Sequence, residues 1–142
     1  MSLVLDASMT LAWRVTRPYP NEALIAQNAI HTTMSHGAIV PHLWYPEVAN
    51  ALVMSERQGV STPKDSANFL ADLDSLPISL DTASVQSTRN KTLSFARTWK
   101  LTVYDATYFE LALRKNASLA TFDRQLAEAF RKAGGRVFGD QP

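Results

Sequence analysis

Apolar residues arrive along this chain in short bursts separated by amphipathic stretches. The first burst, residues 2–5, stops at Asp6 and reads as a buried strand followed by a helix cap. A short helix over 8–14 follows, and Pro18 and Pro20 break what comes next. From Asn21 onward, Ala23, Ala26, Ile30 and Met34 recur at helical spacing until Gly37. Residues 38–40 read as a second strand closed by Pro41, and a helix over 43–58 ends at Gly59. Ser61, Thr62 and Pro63 signal a new helix start, and Phe69, Leu70, Leu73 and Leu76 form its apolar stripe before Pro77. Residues 78–80 are a third strand candidate. Asp81 is then expected to cap a long helix carrying Val85, Thr88, Thr92, Phe95 and Trp99. The helix over 104–115 is apolar almost all round, so deep burial is expected. A strand over 119–121, a helix over 123–132, a turn at Gly134 and Gly135 and a last short strand over 136–138 complete the pattern.

Short strands alternating with helices argue α/β architecture, with a mostly parallel sheet covered by helices on both faces. In such sheets a ligand sits outside the carboxyl ends of the strands. The length of 142 residues, 46% of them apolar, predicts a single domain over 1–142 that needs no covalent staple. There is no cysteine, which removes disulfides, thiolate zinc sites, iron–sulfur clusters and cysteine nucleophiles. Nothing approaches ~18 consecutive apolar residues, and the first residues lack a cationic region before Asp6. Neither a membrane span nor a secretory signal is expected, and the default compartment is cytoplasmic. The net charge of +1 conceals an asymmetry: residues 1–88 balance to −4 and residues 89–142 to +5. A basic half can attract a phosphate backbone, although scattered charges on solvated helices look the same.

The acids carry the candidate chemistry. Asp6 ends the first strand, Asp123 follows another, Asp105 opens the most apolar helix, and Glu47 lies early in the helix after the second strand. Asp6 and Asp123 also suit simple N-caps, and Glu47 suits a surface acid favoured by the helix dipole. Asp105 fits that reading less well. It shares a helix face with Phe109 and Ala112, and a carboxylate among core residues needs a cation or several donors. Carboxylates gathered in one cleft repel one another unless a positive ion intervenes. Mg²⁺ and Mn²⁺ prefer oxygen ligands, so the implied chemistry is metal-assisted hydrolysis of a phosphate ester by an activated water.

At these residues the chain resembles the PIN-domain family, in particular the ribonuclease toxins of VapBC-type toxin–antitoxin modules. The resemblance spans nearly the whole chain. It starts with Leu5, Asp6, Ala7 and Ser8 and the following Trp13, and continues with Pro41 and the block from Glu47 to Leu52 that contains Asn50. The stretch from Leu101 to Tyr108 with Leu111 and Ala112 is similar to a third block, and Thr121 to Leu126 to a fourth. The resemblance implies a three-layer fold with a mostly parallel five-stranded sheet. It implies that Asp6, Glu47, Asp105 and Asp123 bind Mg²⁺ or Mn²⁺, with Ser8, Asn50 and Thr121 orienting ligands or water around them. It also implies an RNA substrate, a homodimer and a cognate antitoxin that blocks the site. Two departures stand out. Phe122 occupies a position where a small residue is commoner, where it would either narrow the cleft or stack on a base. The chain stops soon after Phe138, which is expected to trim the last strand.

Other features carry less. His31, His36 and His42 are spaced for neither a helical pair nor a strand, and Trp13, Trp44 and Trp99 read as core or partner contacts. Leu11, Trp13, Trp44 and Tyr45 are candidates for an antitoxin groove, with core filling as the plainer role for most. Arg97 and Arg124 of the basic half are candidates for flanking phosphates. Dinucleotide, P-loop and nucleophile-elbow motifs are absent. A second acid two residues after Asp6, which an aspartyl-phosphate phosphatase would want, is replaced by Ser8. A phospho-receiver domain would want paired acids at the end of its first strand, and there are none. The competing functional class is a catalytically silent module of the same fold that holds RNA or a protein. Four clustered acids argue against it.

Overall fold

The computed structural model describes residues 2–141. Strand β1 (Leu3–Leu5) leads into helices α1 (Ala7–Leu11) and α2 (Pro20–His36). Strand β2 (Ala38–Val40) is followed by α3 (Trp44–Arg57) and α4 (Pro63–Asp74), and β3 (Ile78–Leu80) by α5 (Val85–Trp99) and α6 (Val103–Arg114). Strand β4 (Ser118–Ala120) and α7 (Arg124–Lys132) close the series. The four strands pair in parallel in the order β3-β2-β1-β4. Leu3, Val4 and Leu5 are all buried, and since successive strand residues point to opposite faces, both faces of the sheet are covered.

The chain steps outward from β1 to β2 to β3, then returns through α5 and α6 to place β4 on the other side of β1. The strand order therefore reverses between β1 and β4, and at such a switch point the carboxyl ends of the strands diverge into a crevice. Asp6 follows β1 and Thr121–Asp123 follow β4, so both segments open onto that crevice.

Helix α6 is the buried centre. Phe109, fully buried, packs against Phe95 of α5 at 5.0 Å, Trp99 at 6.0 Å and Phe130 of α7 at 5.4 Å between ring centroids. These contacts fix the helix whose first turn carries Asp105.

Two expectations are corrected. The sheet has four strands among the described residues rather than five. Residues 136–138 make one parallel bridge, Leu119 to Val137, with the Leu119 N–H donating to Arg136 at 2.9 Å and the Phe138 N–H returning to Leu119 at 2.8 Å. Gly134 (φ 87°) and Gly139 (φ 96°) bracket this segment and turn the chain away on either side, and the pairing stops at this single bridge. The second correction concerns Asp81, which does not cap α5. Ser84 does, accepting the Ser87 N–H at 3.0 Å. Asp81 accepts two bonds from the Arg114 guanidinium, at 2.6 and 3.1 Å, and the Ala83 N–H at 3.1 Å. Burial would raise the Asp81 carboxyl, but Arg114 and the Ala83 N–H outweigh it and hold the group below its ordinary value. Arg114 also clasps Glu110, a buried acid one turn earlier on α6, at 2.8 and 3.0 Å. One guanidinium thus ties the end of β3 to the end of α6.

Replacing Arg114 with alanine leaves buried Glu110 and nearly buried Asp81 without their ion-pair partner. The expected loss is about 3 kcal/mol of folding stability, read by urea denaturation at pH 7. An unchanged midpoint would show that the pair is solvated in solution.

Candidate active site

Asp6 lies at the end of β1 in extended conformation (φ −92°, ψ 172°) and caps α1, its Oδ1 accepting the Met9 N–H at 2.9 Å. The same oxygen accepts the Ser8 hydroxyl at 2.7 Å, and Oδ2 accepts the Thr121 hydroxyl from the segment after β4. Each hydroxyl also receives a backbone N–H from that segment. Phe122 donates to Ser8 Oγ at 2.9 Å and Asp123 to Thr121 Oγ1 at 3.0 Å. Burial pushes the Asp6 carboxyl up to about 6, against the pull of the bonds from Thr121, Met9 and Ser8; repulsion from Asp105 adds to the rise.

Asp105 occupies the third position of α6, its N–H capped by Thr102 Oγ1 at 3.1 Å. Its half-buried carboxyl is pushed up to about 6 by desolvation, then by the charges of Asp123 and Glu47, with a hydrogen bond from Thr102 opposing. Asp105 is therefore the meeting point, within electrostatic reach of Asp6, Asp123 and Glu47. Asp123 caps α7 through Oδ1, which accepts the Leu126 N–H at 2.9 Å. Glu47 sits in the first turn of α3, one oxygen held at 2.5 Å by the Tyr108 hydroxyl. Burial first, then the bond to Glu47 and the nearby acids, hold the Tyr108 phenol well above its usual range, so it stays protonated and donates.

The fold thus draws Asp6, Glu47, Asp105 and Asp123 toward one crevice, with Ser8 and Thr121 bound directly to Asp6. Asn50 is exposed one turn beyond Glu47, and among the described residues no hydrogen bond joins it to the acids. Tyr108 was not singled out from sequence. Its spacing of three from Asp105 places both on one helix face, which is the signal that could have found it. The remaining candidates fall elsewhere. His31, His36 and His42 are exposed; Trp44 is buried with its indole N–H on Thr10; Trp13 donates to the Ala26 carbonyl; Tyr45 is exposed.

The donor set is all oxygen, and none of the four acids is ion-paired with a basic side chain among the described residues. Such a set fits a hard divalent cation. Among the described residues no three acids or histidines are drawn tightly enough to enclose an ion. An ion that keeps part of its water shell, as Mg²⁺ does, needs only one or two direct carboxylates.

No protein-family model matches the chain. The chain is 33% identical over 132 residues to Ribonuclease VapC3 of Pyrobaculum aerophilum, covering 92% of this chain and 95% of that protein. Two solved structures share the fold. PAE2754 from the same organism matches with a TM-score of 0.68 at 24% identity, over 91% of this chain and 87% of its own. FitAcB from Neisseria gonorrhoeae matches with a TM-score of 0.61 at 16% identity, over 96% of both chains.

The raised carboxyls make a pH prediction for the metal-free protein. Asp6 and Asp105 hold protons more tightly folded than unfolded, so between pH 3.8 and about 6 the folded state binds more protons and stability falls as pH rises. Asp81, held below 3.8, acts in the opposite sense only beneath that window. In EDTA, unfolding at pH 5 should require about 1 kcal/mol more than at pH 7 from Asp6 alone, with a smaller, solvent-screened share from Asp105. Asp105→Asn should raise the melting temperature at pH 7 by about 3 °C. Flat stability across this range would mean that neither carboxyl is held above its ordinary value.

Proposed function

The chain belongs to the VapC family of PIN-domain ribonucleases, and on that premise we propose that it is a metal-dependent endoribonuclease acting as the toxin of a toxin–antitoxin pair. The observation that carries the reading is the gathering of four carboxylates, from four segments, without a single basic partner among the described residues. A bound cation would offset the mutual repulsion that such a cluster keeps at neutral pH.

Asp6, Glu47, Asp105 and Asp123 are the residues that would hold Mg²⁺ or Mn²⁺. When bound, the ion supplies Lewis-acid polarisation of the phosphodiester and an acidified water. The chain's own residues set the geometry. Ser8 and Thr121 lock both oxygens of Asp6, and Tyr108 fixes one oxygen of Glu47 and leaves the other for the ion. Outer hydrogen bonds of this kind orient ligands and set their basicity. Arg124, next to Asp123 and exposed, is placed to meet a phosphate flanking the cut. The reading carries with it single-stranded RNA as substrate, an antitoxin protein that blocks the crevice, a homodimeric assembly and a cytoplasmic setting. Among the described residues no helix is long and apolar enough to cross a membrane.

Asp6→Asn and Asp105→Asn should each lower RNA cleavage in Mg²⁺ or Mn²⁺ by more than about a hundredfold, since losing even an outer hydrogen-bond partner of a metal site costs about 10–100-fold. Circular dichroism should show the fold retained, and EDTA should abolish wild-type cleavage. Cleavage that survives chelation, or full activity in either variant, would refute the assignment.

A further inference from the structure

Beside Asp123 lies a second feature, a cavity of about 440 Å³ whose lining includes Phe122, Arg124, Glu22, Glu128 and Asp140. We propose that this cavity is a nucleobase subsite, in which the Phe122 ring, backed by Arg17, stacks on a base flanking the cleaved phosphodiester. The inference rests on the nuclease reading and gives it a specificity determinant.

Three observations converge on it. The Phe122 backbone is registered to the acidic cluster, because its N–H donates to Ser8 Oγ at 2.9 Å and Ser8 donates to Asp6 at 2.7 Å. The ring is held as a platform. The Arg17 guanidinium lies 4.6 Å from its centroid and is itself pinned by Glu22 at 2.9 Å, while Phe122 is among the residues lining the cavity. Such a cation–aromatic pair fixes the ring's tilt before any ligand arrives. The walls, finally, select a base over a phosphate. Glu22, Glu128 and Asp140 outnumber the cations Arg124 and Arg131, and each of these acids is ion-paired, with Arg17, Lys132 and Arg131 respectively. Carboxylates keep free lone pairs even when ion-paired, so these walls accept hydrogen bonds from exocyclic amino groups. Adenine, cytosine and guanine offer such donors; uracil does not. The aromatic face supplies affinity for any base, and the acidic rim chooses among them.

The test uses the full chain in Mg²⁺ with single-stranded RNA of randomised sequence, the cut ends being sequenced. The wild type should favour an amino-bearing base at one position adjoining the cut. Phe122→Ala should flatten that preference and raise KM about tenfold, with kcat changed less, as loss of one stacked base implies. Phe122→Leu keeps apolar bulk without a π face and should behave as alanine does, whereas Phe122→Trp should restore the preference. Binding of a short fluorescent RNA in EDTA, read by anisotropy, should weaken by the same factor in Phe122→Ala. A cleavage profile in Phe122→Ala that superimposes on the wild type overturns the subsite and leaves the nuclease standing. RNA that is bound in a Phe122-dependent way but never cut would instead overturn the nuclease reading and keep the subsite.

Discussion

The functional edge of this protein hangs on the carboxylate of Asp6. Its two oxygens receive an N–H and two hydroxyls, from the start of α1 and from the segment after β4. A hydroxyl that donates its one proton can receive further bonds only at its lone pairs. With Asp6 ionised, Ser8 and Thr121 must both donate inward, and their oxygens are left to accept the N–H groups of Phe122 and Asp123. Two relays therefore run in one direction, from the backbone after β4 through a hydroxyl to Asp6. A protonated Asp6 loses an acceptor position and breaks the symmetry of the pair. One side chain thus ties the start of α1 to the loop that presents Phe122 and Asp123.

That arrangement works against stability. Two carboxyls are pushed up to about 6, one mostly by burial and the other also by its acidic neighbours. A chain that cannot relax such a cluster must fix its members from elsewhere. Helix α6 is the example. Its first turn carries Asp105, its middle is wedged among Phe95, Trp99 and Phe130, and its last turn is bolted to β3 through Arg114 and Asp81. Neither anchor touches the acids, yet both oppose the movement that repulsion would otherwise drive. Sites that break local rules for function are held by consistency in the rest of the fold.

The parallel α/β architecture was legible because it depends on local signals. Apolar bursts ending at Asp6 and before Asp123, the helix start at Thr62 and Pro63, and the apolar girth of α6 all follow from residues close in sequence. The positions of the four acids at the sheet's functional edge followed from the same logic. What escaped depended on distant partners. Asp81 looks like a cap because every Asp before a helix does; its actual partner lies 33 residues away. Tyr108 looks like a core residue and is one, 2% exposed, yet its hydroxyl reaches Glu47 across 61 positions. Arg17 sits near a proline-broken stretch with no periodicity to place it, and only the folded chain sets it over Phe122. The last strand differs: it is expected to be trimmed, and the fold reduces it to one bridge between glycines that turn the chain locally.

The sequence poses a choice, for Asp6 and Asp123, between helix cap and site residue; the geometry shows both as caps and leaves the second role compatible with the first. A carboxylate has two oxygens, and an N-cap needs one. Asp123 spends Oδ1 on the Leu126 N–H, and among the described residues nothing in the protein bonds Oδ2. The cap then becomes the device that aims the second oxygen, since fixing Oδ1 against the helix end fixes the plane of the group. Placing acids at helix N-termini around a switch point therefore satisfies the backbone and orients the remaining carboxylate oxygens, all with one residue type. A surface acid in the middle of a helix would supply the charge without the aim. On this view the capping propensity that makes each Asp ambiguous in isolation is the reason the fold can use them together.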